Sequence, residues 1–436
     1  MQAKRSNRTL VKRTPTLVGL SVKQVRVATT MAGTVNLDKW GGAWYTWGIK
    51  RASHMRKGLS LYIHIPFCAS KCNYCSFSSF VSDDDVKLRY IEALKKEIGL
   101  RGKELSGSYE ISTVYIGGGT PSSLPLGCIK AIMAAVYKNF VVRNNAEITI
   151  EINPNSIDKD KIKEYQFAGV NRFSVGLQCV SKAVLKEMGR THTVEDFTRA
   201  VTMLKKAGVG NISADIILGY PKETQDDVAR SVDLVTKLGV NHVSTYMLSV
   251  EEGTPLFKAV NSKLTALPDE DEVIRQYNLC AKKLAAAGFE RYEVSNFAKP
   301  SFKSRHNQVY WKRQNYLGLG LAAHSFLQGQ RWNNTDNLPF YISCLESKGL
   351  YPIEKSHTLS PQEAKEEWVM LSLRRTEGLD TEAFKTEFGE NFLATRKEPL
   401  ARLIRGGFIT LDTKTNHVRA TDKGFLVLNK IIEELA

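Results

Sequence analysis

From residue 59 to residue 250, short apolar runs alternate with amphipathic stretches of helical period. That alternation confines the chain to βα units joined into a parallel sheet. The runs Leu59 to Ile65, Thr113 to Ile116, Ile148 to Ile152, Arg172 to Gly176, Ile212 to Leu218 and His242 to Leu248 predict six strands. Helical patterns at about 84–104, 125–138, 158–168, 180–188, 194–207 and 224–238 fall between them. Thr193-Val-Glu-Asp and Thr224-Gln-Asp-Asp have the form of N-terminal caps. Six strands make an α/β sheet rather than a closed eight-fold barrel. In such sheets ligands gather beyond the carboxyl ends of the strands, so the residues there are where chemistry is expected.

Those residues are the least ordinary in the chain. The first strand leads into Cys68-Ala-Ser-Lys-Cys72-Asn-Tyr-Cys75. Three thiols so placed can bind three irons of a [4Fe-4S] cube and leave the fourth iron open to a small molecule. A zinc site would want a fourth Cys or His at a matching spacing, and the chain has no second cysteine pair. His64 lies inside the strand, on the side of Tyr62. The second strand leads into Gly117-Gly118-Gly119-Thr120-Pro121, where glycines allow close backbone approach to a ligand and leave N–H and C=O groups free to bind it. A tight βα turn is the plainer reading of these glycines. The third strand ends in Glu151-Ile-Asn-Pro, the fourth in Gly176-Leu-Gln178, and the fifth carries Asp215. A carboxylate at this end of a sheet must be paired or bound to something polar, and for either acid alone an ion pair is the ordinary explanation. Arg190 is the candidate partner, or a contact for a ligand carboxylate.

The formal net charge of +16 invites a nucleic-acid reading until the charges are placed. Residues 1–58 hold 12 Lys or Arg and one acid, Asp38; the rest carries 49 basic against 44 acidic residues. A basic, acid-poor leader resembles an organellar presequence, while Met55 would be an ordinary start for a protein opening on the first strand. The segment Asp38–Gly48, with three of the six tryptophans, suits neither a folded domain nor a typical transit peptide. Seven cysteines, three of them clustered, do not form a secreted disulfide framework and predict a reducing compartment. Cys128, Cys179, Cys280 and Cys344 read as ordinary thiols. No apolar run approaches the ~18 to 20 residues that span a bilayer, which predicts a soluble, cytoplasmic protein, or an organellar one if residues 1–54 are a genuine presequence.

The cysteine triplet after strand one, the glycines after strand two and the acids after later strands together resemble the radical S-adenosylmethionine (SAM) superfamily. The resemblance implies a partial (β/α)6 barrel with a [4Fe-4S] cluster held by Cys68, Cys72 and Cys75. SAM would chelate the open iron, and one electron would cleave its C–S bond to a 5′-deoxyadenosyl radical. By position, Tyr74 would lie beside the cluster and Gly118, Gly119 and Thr120 would contact the methionine end. Glu151, Gln178, Arg190 and Asp215 would hold the rest, with Tyr62 nearby.

Tyr62-Ile-His-Ile-Pro-Phe-Cys68, Tyr115-Ile-Gly-Gly-Gly-Thr-Pro121, Asn171-Arg-Phe-Ser-Val-Gly-Leu-Gln178 and Asn211-Ile-Ser-Ala-Asp-Ile-Ile-Leu-Gly219 are similar to the oxygen-independent coproporphyrinogen III oxidase family. The decarboxylating oxidases carry another cysteine where this chain has Phe77. Glu293-Val-Ser-Asn-Phe-Ala298 and His306-Asn-Gln-Val-Tyr310-Trp311 instead resemble the HemW heme chaperones. That resemblance implies heme as a third bound group, with His306 as axial ligand or part of the heme surface and Tyr310 and Trp311 stacking on the porphyrin. A hydrogen-bonded structural histidine is the plainer reading of His306, and His324 is a competing ligand.

The expected organisation is a leader over 1–58, a partial barrel over 59–250, a barrel extension bearing the HNxxYW motif over 251–359, and a winged-helix-like α+β domain over 360–436. The last segment is not notably basic, so a cover over the barrel mouth is expected rather than DNA binding. The implied function is heme transfer to acceptors such as respiratory enzymes, with a reductant for the cluster and transient membrane association. Radical decarboxylation of coproporphyrinogen III to protoporphyrinogen IX in porphyrin biosynthesis is the enzymatic alternative. A nucleic-acid or tRNA-modifying role rests on charge alone.

Overall fold

The computed structural model describes residues 56–436, so the expectations about the leader and the tryptophan segment lie outside the described residues. Six parallel strands run β1 (Lys57–Ile65), β2 (Tyr109–Gly118), β3 (Val142–Ile152), β4 (Arg172–Gln178), β5 (Ile212–Leu218) and β6 (His242–Met247), paired in that order. Each is followed by helix, as parallel crossovers require. All seven residues of β4 are buried, the continuous pattern of a strand covered on both faces. Thr193 and Thr224 cap the helices Val194–Lys206 and Gln225–Lys237 with reciprocal capping boxes.

The sheet is twice as wide as the six expected strands. On one side β7 (Glu290–Arg291) and β8 (Asn296–Ala298) extend β6 antiparallel, and on the other β9 (Tyr316–Leu319) joins β1 in parallel. Then β10 (His324–Leu327), β11 (Gln330–Asn334) and β12 (Ile353–Thr358) continue as antiparallel ribbons, giving twelve strands in the order 12-11-10-9-1-2-3-4-5-6-8-7. These added strands are two to six residues long and rich in Gly, Asn and charged residues, so they carry little periodicity. Strands β2 and β3 also begin earlier than their apolar runs, because Tyr109–Ser112 and Val142–Glu147 pair despite their polarity.

The C-terminal elements build a core of their own around Val369, Leu373, Phe384, Phe392 and Leu435. The helix Pro361–Leu373, capped by Ser360, is followed by Thr381–Phe388, Lys397–Arg405, the hairpin Ile409–Asp412 with His417–Ala420, and a closing helix Leu428–Leu435. Their ties to the rest run to residues 291–294, 313, 331 and 357: Val294 N–H donates to Arg374 O at 3.0 Å, Glu367 pairs with Arg313 at 3.0 Å and with Arg331, and Glu363 meets the His357 ring at 2.9 Å. Among the described residues none of the hydrogen bonds or ion pairs reaches the cysteine loop, so the expected cover over the mouth is not formed through such contacts. No described helix is long and apolar enough to cross a membrane.

Candidate cofactor site

The cysteine loop is closed at its neck. Cys68 N–H donates to Phe80 O at 3.0 Å and Phe80 N–H to Pro66 O at 2.9 Å. Its middle is tied to the segment after β4: Asn73 N–H donates to Met188 O at 2.9 Å and its Nδ2 to Glu187 O at 2.7 Å. Inside this frame the thiols of Cys68, Cys72 and Cys75 are free and half-buried. Burial pushes the Cys72 thiol up, opposed by the nearby Arg190 guanidinium. Among the described residues no three metal-binding side chains converge as one ion would need. A cube asks for something else, since each cysteine binds a different iron.

The glycine turn packs directly beneath. A Cβ on Gly119 would lie 3.0 Å from Cys68 Sγ and 2.7 Å from Phe67 O, and a Cβ on Gly118 only 2.6 Å from the His64 ring. Gly118 also takes a φ of +114°, open to glycine. The expectation of free donors here is corrected: Gly118 N–H donates to Glu151 Oε2 at 3.1 Å, Gly119 N–H to Ile65 O at 2.8 Å and Thr120 N–H to Phe67 O at 2.7 Å. The Glu151 carboxylate and the backbone carbonyls of Ile65 and Phe67 commit these groups, so the turn can offer close approach but not these three N–H donors. Thr120 Oγ1 sits 3.6 Å from Cys68 Sγ.

His64 links strand and loop. Its Nε2–H donates to Ser78 O at 2.8 Å, leaving Nδ1 to accept from Tyr62 O–H at 2.9 Å. Burial lowers its pKa to about 4, keeping the ring neutral for both bonds. Burial likewise drives the Tyr62 hydroxyl well up, and Tyr62 stacks on Tyr115.

The acids Glu151, near the end of β3, and Asp215, within β5, are not in ion pairs. Glu151 accepts from Tyr115 O–H at 2.7 Å, and Asp215 from Ser174 Oγ at 3.2 Å and from Ser244. Burial lifts Glu151 to about 7 and also raises Asp215. Arg190 pairs with neither: its Nη2 and Nε donate to Tyr74 Oη at 2.7 and 3.1 Å. At the end of β4 Gln178 has a φ of +68°, a left-handed conformation costing a non-glycine residue about 1 kcal/mol or more. A register shift between Gly176 and Gln178 accompanies it.

One charged group was missed. Arg172 opens β4 and is only 1% exposed, with Nε and Nη1 lacking any hydrogen-bond partner. It acts electrostatically on Glu151, Asp215 and His306. An arginine beginning an otherwise buried strand was the signal available in the sequence.

His306 does not present an open nitrogen. It is fully buried on the short helix Arg305–Trp311, with Nδ1 bonded to Thr113 Oγ1 at 2.7 Å and Nε2 to Tyr310 Oη at 2.9 Å. Burial lowers its pKa to about 3, and its ring stacks on Tyr115 at 5.1 Å. Buried Glu147 receives the helix's first N–H groups, from Arg305 at 3.0 Å and His306 at 2.9 Å. His324, in contrast, is exposed at the start of β10 and makes no side-chain hydrogen bond among the described residues.

A family model described as the Radical SAM superfamily matches residues 62–235, and one described as the HemN C-terminal domain matches 359–427. A protein named heme chaperone HemW from Lactococcus lactis is 34% identical over 386 residues, 87% of this chain and 98% of its own. A Bacillus subtilis protein of the same name is 31% identical, covering 85% and 97%. A Danio rerio protein named radical S-adenosyl methionine domain-containing protein 1, mitochondrial, is 31% identical over 86% of each chain. The solved Escherichia coli coproporphyrinogen III oxidase (HemN), titled a radical SAM enzyme, shares the fold with a TM-score of 0.76 over 88% of this chain and 91% of its own, at 24% identity.

Proposed function

This chain belongs to the HemW family of heme chaperones within the radical SAM superfamily, and on that premise we propose that it binds heme and passes it to acceptor proteins such as respiratory enzymes. When bound, a [4Fe-4S] cluster and SAM supply one-electron cleavage of the sulfonium C–S bond. Cys68, Cys72 and Cys75 hold three irons of that cluster. The closed loop neck and half-buried thiols support this, because a cluster ligand must be ordered yet reachable.

Glu151 and Asp215 take the cationic side of SAM. Their lack of a guanidinium partner supports the role, since unpaired carboxylates favour an incoming cation. Arg190 rests on a neutral phenol, which keeps its charge available for the SAM carboxylate. Tyr62, Tyr74, Gly118, Gly119, Thr120 and Gln178 shape the floor and walls of that site.

The observation that carries the chaperone reading is correspondence with heme chaperones along nearly their whole length, joined to Phe77 where the decarboxylating oxidases have cysteine. Phe77 lies exposed on the cysteine loop. Iron ligation by His306 would first require Thr113 or Tyr310 to release it; the exposed ring of His324 needs no release. Cytoplasmic work, or organellar work with residues 1–54 as presequence, goes with this function, together with an electron donor for the cluster and transient membrane contact.

The test is anaerobic incubation of the reconstituted protein with SAM, reductant and coproporphyrinogen III, alongside hemin titration. Hemin binding without protoporphyrinogen IX is the expected result. Accumulating protoporphyrinogen IX would replace the chaperone with the oxidase.

A further inference from the structure

Below the acids that face the cysteine loop, the barrel interior is polar. Along β4, Phe173, Val175 and Leu177 belong to the apolar core, so the alternate set Arg172, Ser174 and Gly176 faces inward. Ser174 confirms the direction by donating to Asp215 at 3.2 Å. Register then sets the layers: Gly176 lies opposite Asp215, Ser174 opposite Glu151 and Arg172 opposite Thr149. Arg172 therefore enters the barrel one layer beneath Glu151, two residues or about 7 Å along the strand.

A buried guanidinium ordinarily meets a carboxylate or several carbonyls. Arg172 Nε and Nη1 meet neither among the described residues, and the Thr149 hydroxyl opposite is also buried without a partner. Two residues below Thr149, Glu147 is already occupied by the N–H groups of Arg305 and His306. His242 and His306 are kept neutral by burial and by Arg172 itself, so neither stands in for its charge. Glu151 is faced by Tyr62 from β1, Tyr115 from β2, Asp215 from β5, Tyr246 from β6 and Tyr310 from the helix Arg305–Trp311, none of them a cation. Burial raises both acids, and Arg172 opposes it at each, joined at Asp215 by a weaker effect of Arg190.

We infer that Arg172 is a positioning residue for SAM: from the layer below, its charge readies Glu151 and Asp215 to receive the cationic side of the ligand without touching it. The inference rests on the SAM reading of this site and deepens it. One cation here has two opposed effects, since it favours ionised acids and repels a sulfonium. The acids stand between it and the barrel mouth, so the first effect outweighs the second near neutral pH. A guanidinium cancelled by its own carboxylate would transmit little field, which gives the missing ion pair a use.

The test is SAM titration by calorimetry across a pH series, on the full chain with its reconstituted cluster. Infrared spectra without SAM follow the protonated carboxyl band of Glu151, assigned by its loss in Glu151→Gln. Wild type should bind more tightly as pH rises through about 7. In Arg172→Gln, or Arg172→Met if the first does not fold, the climb and the loss of the band should both move up by about one pH unit, with about tenfold weaker binding near neutral pH. Above the climb, that variant should regain wild-type affinity. Arg172→Lys should hold both readouts near wild type. Binding weakened equally at every pH, a climb and band left in place without the guanidinium, or equal displacement in the Lys and Gln variants would overturn the inference and leave the SAM reading intact. Wild type binding no SAM would defeat the SAM reading and the inference with it.

Discussion

Gly118 admits no side chain, because its φ is +114° and a Cβ would fall 2.6 Å from the His64 ring. Gly118→Ala should therefore cost about 1–3 kcal/mol in urea unfolding, and it should displace His64 from Ser78, loosening the cysteine loop. Replacing Cys68, Cys72 or Cys75 by Ala should abolish the iron–sulfur absorption of the reconstituted protein; an intact cluster in any single variant would place the ligands elsewhere. Glu151 sets a pH dependence in two opposed senses. With its folded pKa raised to about 7, its proton favours the fold fully below the ordinary carboxyl range, and that contribution is lost as pH rises through about 7. The carboxylate formed over the same rise attracts a sulfonium, so SAM affinity measured by calorimetry should climb through about pH 7, and Glu151→Gln should flatten the climb. At this scale the sequence made residue identities legible but not their partners. Glu151 and Arg190 stand out by position, yet only three-dimensional packing decides that one meets Tyr115 and the other Tyr74.

The helix Arg305–Trp311 is too short to persist alone and depends on what receives its leading N–H groups. Glu147, opposite Thr113 in the pairing of β3 with β2, accepts two of them in a buried setting. Glu147→Ala should leave those donors unsatisfied at about 1–3 kcal/mol, and hydrogen exchange should speed over residues 305–311 before the rest of the barrel. The six parallel strands and their helices were readable because burial imposes an apolar period. The strands β7 to β12 were not, because residues such as Asn333, Asn334 and Lys355 pair through the backbone, and their side chains carry no alternating signal. The capping boxes at Thr193 and Thr224 needed only four residues each and were legible in full.

Across the whole molecule, Glu367 is one link between barrel and C-terminal core, nearly buried and paired with both Arg313 and Arg331. Glu367→Ala would strand two guanidinium groups in a partly dry interface, a loss of about 3–5 kcal/mol for a buried pair. It should appear as a lower Tm with early proteolysis near residue 359. The sheet that this link braces never closes, and an unclosed sheet ends in unpaired peptide groups at both margins. At one margin stands β12, Ile353-Glu-Lys-Ser-His-Thr358, exposed at every residue and bearing Glu354, Lys355 and His357. Charges along such a border oppose strand addition by another molecule. The ribbon β9 to β12 thus acts as a hem: it carries the raw edge of β1 outward to a polar selvage, which lets an open, ligand-accepting barrel exist at cellular concentration without templating its own aggregation.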